Sequence, residues 1–161
     1  MPESSGSLYF LVIDQGTSST KCFLFDKNND VVFSNRIKHQ LSRLESHHVE
    51  CDANLIAESC VELIEQCVDF ASQKSKKIHS VGIAIQRSTF LFWDKITATP
   101  LTPALSWLDS RAGHVVEDLS DYNQFIHEIS GVPLSAHFGG CLLYTSPSPR
   151  DRTRSRMPSS A

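Results

Sequence analysis

The sequence has no apolar run long enough to span a bilayer, so no membrane-spanning helix is expected from it. Residues 1–7 are neither basic nor apolar as a group; they read as a disordered leader rather than a secretory signal, and a cytoplasmic address is expected. Cys-x-x-Cys is missing, and the five cysteines are odd in number, which argues against a disulfide framework and agrees with a reducing compartment. Positive charge is not in excess: the net charge is −3, so the chain as a whole is not built for nucleic acid. Internal repeats are absent too. What is there is a chain of 161 residues, 40% hydrophobic and 20% charged, with room for one globular domain and its core.

The charge total hides an asymmetry. From Cys141 onward four arginines (Arg150, Arg152, Arg154, Arg156) face one acid, Asp151, so the tail carries +3 and the first 140 residues carry −6.

The stretch that organises the rest is Asp14 to Lys21, set between the apolar run Leu8 to Ile13 and a second apolar strand, Cys22 to Phe25. Strand, polar glycine turn, strand is a backbone shaped to hold a phosphate. Gly16 admits φ > 0 or the close approach of another group, and successive N–H groups in such a turn form an anion-binding nest. Thr17, Ser18, Ser19 and Thr20 add hydroxyl donors, and Lys21 adds a positive charge. Asp14 would repel a phosphate unless a cation such as Mg²⁺ lies between them, so the loop suggests metal plus nucleotide. The same residues also make an ordinary hairpin turn.

Leu8 to Ile13 is nearly all apolar, as expected of a strand covered on both faces. Lys21 to Asp26 and Val31 to Ile37 continue the meander around a turn at Asn28 to Asp30. Asp52 offers an N-cap for a helix from Ala53 to about Ser72, with Leu55, Ile56, Cys60, Leu63, Ile64, Cys67, Val68 and Ala71 as its apolar stripe. Val81, Ile83 and Ile85 alternate with Gly82 and Ala84, a strand whose small face lets another element lie close. Phe90 to Trp93 reads as a fifth short strand, and Asp94 to Thr99 as a turn. A helix from about Arg111 would carry Ala112, Val115, Val116 and Leu119 on one face. Another would start at Asp121 with Gln124 completing a capping box and Phe125, Ile126 and Ile129 packing inward, stopped by Gly131 and Pro133. The order β-β-β-α-β-β-α-α predicts an α/β fold with a mixed sheet.

A second constellation joins Gln86 and Arg87, polar residues at a strand's carboxyl end, to Trp107 and Asp109. A guanidinium donates two bonds to adjacent hydroxyls, and an indole face packs on the C–H side of a sugar or polyol. An exposed Arg at a strand end and a core Trp would look the same, and Asp109 is also a good N-cap. His47, His48 and Cys51 lack a fourth ligand at zinc spacing, and His137 fits a surface histidine.

From about Tyr9 to Gly140 these residues together resemble the start of the FGGY carbohydrate kinases, most closely the glycerol kinase-like members. The matching stretches are Asp14 to Lys21, Val49 to Asp52, Gly82 to Arg87, Trp93 to Lys95, Pro100-Leu101, Ser106 to Arg111 and Gly131 to Ser135, in that order. The resemblance implies a ribonuclease-H-like fold, the actin and Hsp70 ATPase superfold, with a mixed five-stranded sheet in each of two domains closing on ATP. It implies that Gly16, Thr17, Ser18, Ser19 and Lys21 contact ATP phosphates and that Asp14 helps hold Mg²⁺. Arg87, Ser88, Trp107 and His137 would match positions that hold a sugar or polyol, and the reaction would transfer the γ-phosphoryl group of ATP to a substrate hydroxyl. Glycerol kinases carry Glu where this chain has Ser88 and Tyr where it has His137, which speaks against strict glycerol specificity.

No catalytic residue is expected within these residues, because the family's general-base Asp lies further along than Gly140. The sequence therefore reads as a truncated, inactive piece: a leader at 1–7, a partial kinase N-terminal domain at 8–140 and a disordered tail at 141–161. That tail resembles translated adapter or vector sequence, with a native Arg/Ser-rich RNA-binding tail as the alternative. A sugar or polyol is the expected partner, with no nucleic acid and no membrane, and a homo-oligomer allowed for the intact protein. The alternative function is a non-catalytic nucleotide- or partner-binding member of the same superfold.

Overall fold

The computed structural model describes residues 8–45 and 47–145. It forms two units, one from the described residues of Met1–Leu41 and Asp52–Arg87, the other from those of Ser42–Cys51 and Ser88–Ala161.

In the first unit, strands β1 (Leu8–Gln15), β2 (Ser19–Phe25) and β3 (Val31–Lys38) form an antiparallel meander. Helix α1 (Ala53–Gln73) then crosses to strand β6 (Lys77–Ile85), which pairs parallel with β1, giving a mixed four-stranded sheet in the order β3-β2-β1-β6. Alternation along β1 places Tyr9, Leu11 and Ile13 on the face that α1 covers with Leu63, Cys67 and Ala71. The opposite face, with Phe10 and Val12, is half-buried, so β1 is not covered on both sides as its apolar run predicts. Helix α1 starts where Asp52 accepts from the N–H groups of Asn54 and Leu55, as expected. Its stripe is narrower than the sequence predicts, because Leu55 and Val68 are exposed and Ser59 sits in the buried row.

Cys22 and Cys67 meet in this core. Burial and the neighbouring Cys22 push the Cys67 thiol up to about 12, so it stays protonated and packs as a small apolar group. No disulfide joins any cysteine.

Helix α1 covers β1 through β3 but reaches only the start of β6. Leu11 and Ile13 are each 1% exposed, whereas their β6 neighbours in the same register, Val81 and Ile83, are 54% and 68% exposed, and Ile85 is 69% exposed. A Cβ placed on Gly82 would meet nothing within 4 Å, so the close-lying element expected against the small face of β6 is not found among the described residues.

In the second unit, β4 (Ser42–Glu45), β5 (His48–Cys51) and β7 (Ala104–Leu105) make a small sheet in the order β4-β5-β7. The sequence reading predicts neither β4 nor β5. Phe90 to Trp93 is not a strand: it makes two isolated bridges, Phe90 to Leu105 and Trp93 to Pro100, the latter to a residue that lacks an N–H and cannot extend a ladder. The single five-stranded sheet of the expectation is thus four strands in one sheet and three in another among the described residues. Asp94 does hold its predicted turn, accepting from the N–H groups of Ile96 and Thr97.

Helix α2 (Gly113–Asp118), a 3₁₀ turn at Ser120–Tyr122, helix α3 (Asn123–Ser130) and helix α4 (Gly139–Thr145) follow. Leu105, Ala112, Cys141 and Leu142 form the core, with Phe90, Val116 and Leu134 against it. The predicted capping box at Asp121 is not formed, because Asp121 lies inside the 3₁₀ turn and α3 starts after Tyr122 with no side-chain cap. Phe125 and Ile129, expected inward, are exposed. Gly131 ends α3 at φ +75°, a left-handed cap that suits glycine. Helix α4 continues past residue 140 and buries Cys141 and Leu142, so the disorder expected from 141 does not hold for 141–145; residues 146–161, and the leader at 1–7, lie outside the described residues.

Candidate functional site

In the first unit, the parallel pairing of β1 with β6 brings their carboxyl ends to the same end of the sheet. The Gln86 N–H donates to the Gln15 carbonyl at 2.8 Å, so the chain entering Arg87 and the turn entering Gly16 leave the sheet side by side. Crevices beyond the carboxyl ends of strands are where α/β sheets bind ligands.

The turn is shorter than its sequence suggests, because Asp14 and Gln15 end β1 and Ser19 already begins β2. Gly16, Thr17 and Ser18 make the corner, with Ser18 exposed, Thr17 half-buried and Ser19 buried. The Gly16 N–H is used inside the turn, donating to the Ser19 carbonyl at 2.9 Å, rather than aimed outward as in a nest. Glycine suits this position through close approach and not through positive φ: a Cβ would lie 3.2 Å from the Ser19 carbonyl oxygen, a tight contact that the turn would have to relieve by a small shift.

Asp14 and Lys21 face each other across the β1–β2 pair, and Lys21 Nζ donates to Asp14 Oδ2 at 2.9 Å. Both side chains stay more than a third exposed, so the pair is a weak, solvent-screened contact. Arg36 lies directly opposite Lys21 on β3, and the two join Phe23, Ser34 and Asn35 around a concavity of about 360 Å³. Thr20 does not serve the turn's outer surface: it is fully buried, and its Oγ1 lies 2.7 Å from His39 Nε2. The His39 N–H donates to the Ser18 carbonyl at 2.9 Å, so this histidine holds the turn from behind by backbone and ring alike. Burial lowers the His39 pKa below its ordinary 6.5.

Arg87 is exposed at the end of the first unit, and Ser88, Trp107 and His137 belong to the second. Ser88 adopts φ +60°, a left-handed backbone that costs a serine about 1–2 kcal/mol and concentrates at ligand-binding positions. His137 is half-buried, its Nδ1 2.7 Å from Ser135 Oγ and its ring 4.5 Å from Phe138. Trp107 sits in a turn closed by the Asp109 N–H donating to the Ser106 carbonyl at 2.9 Å. Both corners of that turn, Ser106 and Asp109, are fully buried. A separate cavity of about 560 Å³ in this unit, lined by His114, Val115, Asp118, Leu119, Gly140 and Cys141, includes none of the predicted residues.

Asp109 is no helix cap, since α2 begins after Ala112. It accepts from the Val49 N–H at 2.7 Å and from the backbone and guanidinium of Arg111, which also reaches Glu50 Oε1 at 2.7 Å. Burial alone would raise its pKa, but the Arg111 and Val49 hydrogen bonds and the Arg111 charge outweigh that and hold it below the usual carboxylate value. Nothing in the sequence marks Glu50 and Arg111 as site residues except their place within two of the matching stretches. Among the described residues no cluster of three or more His, Cys, Asp or Glu side chains is placed to hold a metal. No described helix is long and apolar enough to cross a membrane.

Residues 9–144 match the N-terminal domain of the FGGY family of carbohydrate kinases. A glycerol kinase of Pseudarthrobacter chlorophenolicus is 34% identical over 135 residues, covering 82% of this chain and 27% of that protein. The structure of Plasmodium falciparum glycerol kinase with ADP superposes with a TM-score of 0.84 at 30% identity, over 94% of this chain and 31% of that one. A gluconate kinase from Lactobacillus acidophilus superposes with a TM-score of 0.72 at 25% identity, over 81% of this chain and 26% of that one. The chain spans about a quarter of the length of the curated relatives it matches.

Proposed function

Since the chain belongs to the FGGY family of carbohydrate kinases, we propose that it is part of an enzyme that transfers the γ-phosphoryl group of ATP to a hydroxyl of a sugar or polyol. The observation that carries this reading is the Gln86 to Gln15 hydrogen bond, which sets the Gly16 turn and Arg87 at one end of one sheet, phosphate-binding chemistry beside hydroxyl-binding chemistry. In this reading the Thr17 and Ser18 hydroxyls and Lys21 meet the nucleotide phosphates. Arg87 of the first unit, and Ser88, Trp107 and His137 of the second, are assigned to the sugar or polyol by the family resemblance alone.

Mg²⁺ fits the donor chemistry present. It is a hard cation that takes one or two carboxylates with phosphates and waters as the remaining ligands, and Asp14 at the end of β1 supplies such a carboxylate. When bound, the ion neutralises charge on the phosphates in transfer. The work proposed for this chain's own residues is positioning: the His39 bonds hold the Gly16 turn from behind, and the β1–β6 register brings the chain entering Arg87 beside it.

The family resemblance implies a general-base Asp that these residues do not supply, so the 161 residues alone are expected to be inactive. The test is an ATP-dependent phosphorylation assay of a longer protein carrying these residues, with polyols, ketoses and aldoses as acceptors. Transfer by the longer protein and none by this chain is the expected result; absence of transfer to every acceptor, in a folded longer protein supplied with Mg²⁺ and ATP, overturns the reading. Replacing Ser88 by Glu restores a carboxylate acceptor and is expected to shift preference toward glycerol by about tenfold or more.

A further inference from the structure

Trp107 and Leu108 are the two central residues of the turn Ser106 to Asp109, whose two corners are tied to Val49 of β5 and which is held further by Thr89. The Ser106 N–H donates to the Val49 carbonyl at 3.0 Å, the Ser110 N–H to the His47 carbonyl at 2.9 Å, and the Val49 N–H to Asp109 Oδ2 at 2.7 Å. The Leu108 N–H donates to Ser106 Oγ at 3.3 Å, and the Trp107 N–H to Thr89 Oγ1 at 3.2 Å. Between two corners that are 0% exposed, Trp107 is 40% exposed. Such a half-exposed indole on a pinned backbone is a presented side chain, not a core one.

The pin is electrostatic. Arg111 Nε donates to both Asp109 oxygens at 2.9 and 3.0 Å, and its Nη2 bridges Asp109 Oδ2 and Glu50 Oε1 at 2.7 Å each. A buried carboxylate without its cation is strongly destabilising, so Asp109 is held at the turn corner by the guanidinium, and the guanidinium is anchored to β5 through Glu50. Lysine has no planar fork to make this bridge.

We propose that Arg111 and Glu50 are positioning residues that act through Asp109 to immobilise Trp107 at the second unit's surface. The role assigned to the indole, packing on a sugar or polyol, rests on the functional reading above. The immobilisation itself does not, and no polyol enters the experiment that tests it.

Trp93 is the other tryptophan in the chain, so Trp93→Phe leaves Trp107 as the sole indole emitter. In that background, time-resolved anisotropy and acrylamide quenching are measured for the parent, Glu50→Gln and Arg111→Met, well below each melting temperature. The expected result is about a two-fold or greater rise in quenching and a larger fast anisotropy component in Arg111→Met, with Glu50→Gln intermediate and far-UV circular dichroism unchanged. A purely structural network would lower the melting temperature while leaving Trp107 emission, quenching and anisotropy at parent values, and that result overturns the proposal. Should Arg111→Met fail to fold, Glu50→Gln, which keeps an acceptor for Arg111, decides alone: raised Trp107 mobility supports the proposal and parent values overturn it.

Discussion

At the scale of the residue, His39 couples proton binding to the Gly16 turn. Its lowered pKa means that the folded state resists protonation, so the unfolded state binds more protons over the window just below 6.5 and stability must rise with pH there. The contribution is fully present above 6.5 and is lost as pH falls toward the folded value. Urea midpoints measured between about pH 8 and 5 should therefore decline on the acid side. His39→Gln, which does not titrate, should flatten part of that decline, and superimposable profiles for parent and variant would exclude the role. Asp14, Gly16 and Lys21 are legible in the sequence because a turn is local: a glycine between two apolar strands and two charges that face each other across it. His39 with Thr20, and Arg111 with Glu50, are not legible, since each contact joins residues far apart and exists only once a strand register has been chosen. The burial of Asp109 is hidden for the same reason, as its partners come from β5 and from the chain beyond it.

At the scale of the element, α1 depends on its first turn. Asp52 Oδ1 accepts at 2.8 Å from the Asn54 N–H and at 3.3 Å from the Leu55 N–H, satisfying donors that have no partner in the helix. Asp52→Ala should cost about 1 kcal/mol in denaturant unfolding, with Asp52→Asn or Asp52→Ser closer to parent. An unchanged midpoint in Asp52→Ala would show that tertiary packing of Leu63, Cys67 and Ala71 alone fixes the helix start. Elements with a sustained period or a clear cap, α1 and the strands β1, β2, β3 and β6, are legible within a few residues of their observed ends. Strands β4 and β5 carry no such signal because each has only four residues and their pairing partners are set by the fold. Helix α3 misleads in the opposite sense: its apolar residues recur at helical spacing, yet Phe125 and Ile129 point into solvent.

At the scale of the whole molecule, the unburied row Val81, Ile83 and Ile85 lies on an edge strand whose residues from Ile78 to Ile85 include no Lys, Arg, Asp or Glu. The other edge, β3, bears Asn35, Arg36 and Lys38, the kind of polar and charged edge that discourages pairing with another chain. An apolar, unguarded edge predicts self-association and dye binding. Ile83→Glu should reduce light scattering and ANS fluorescence while changing stability by no more than about 0.5 kcal/mol, because the side chain is already exposed. A large loss of stability in that variant would mean that Ile83 is covered in solution. The general α/β character and the mixed sheet could be read from sequence; the division into two sheets could not, because the second sheet is made of β4, β5 and β7, strands of two to four residues whose pairing is set by the fold. The pairing of β1 with β6 also sets the order in which the chain assembles. The β1-β2-β3 meander closes through short turns, whereas Leu8 reaches Lys77 only after the intervening hairpins and α1 have been brought back, at a greater loop-closure cost. The Gly16 corner is thus expected to form before Gln86 docks onto Gln15. In native-state hydrogen exchange the Gln86 amide is expected to exchange before those of the β1–β2 ladder.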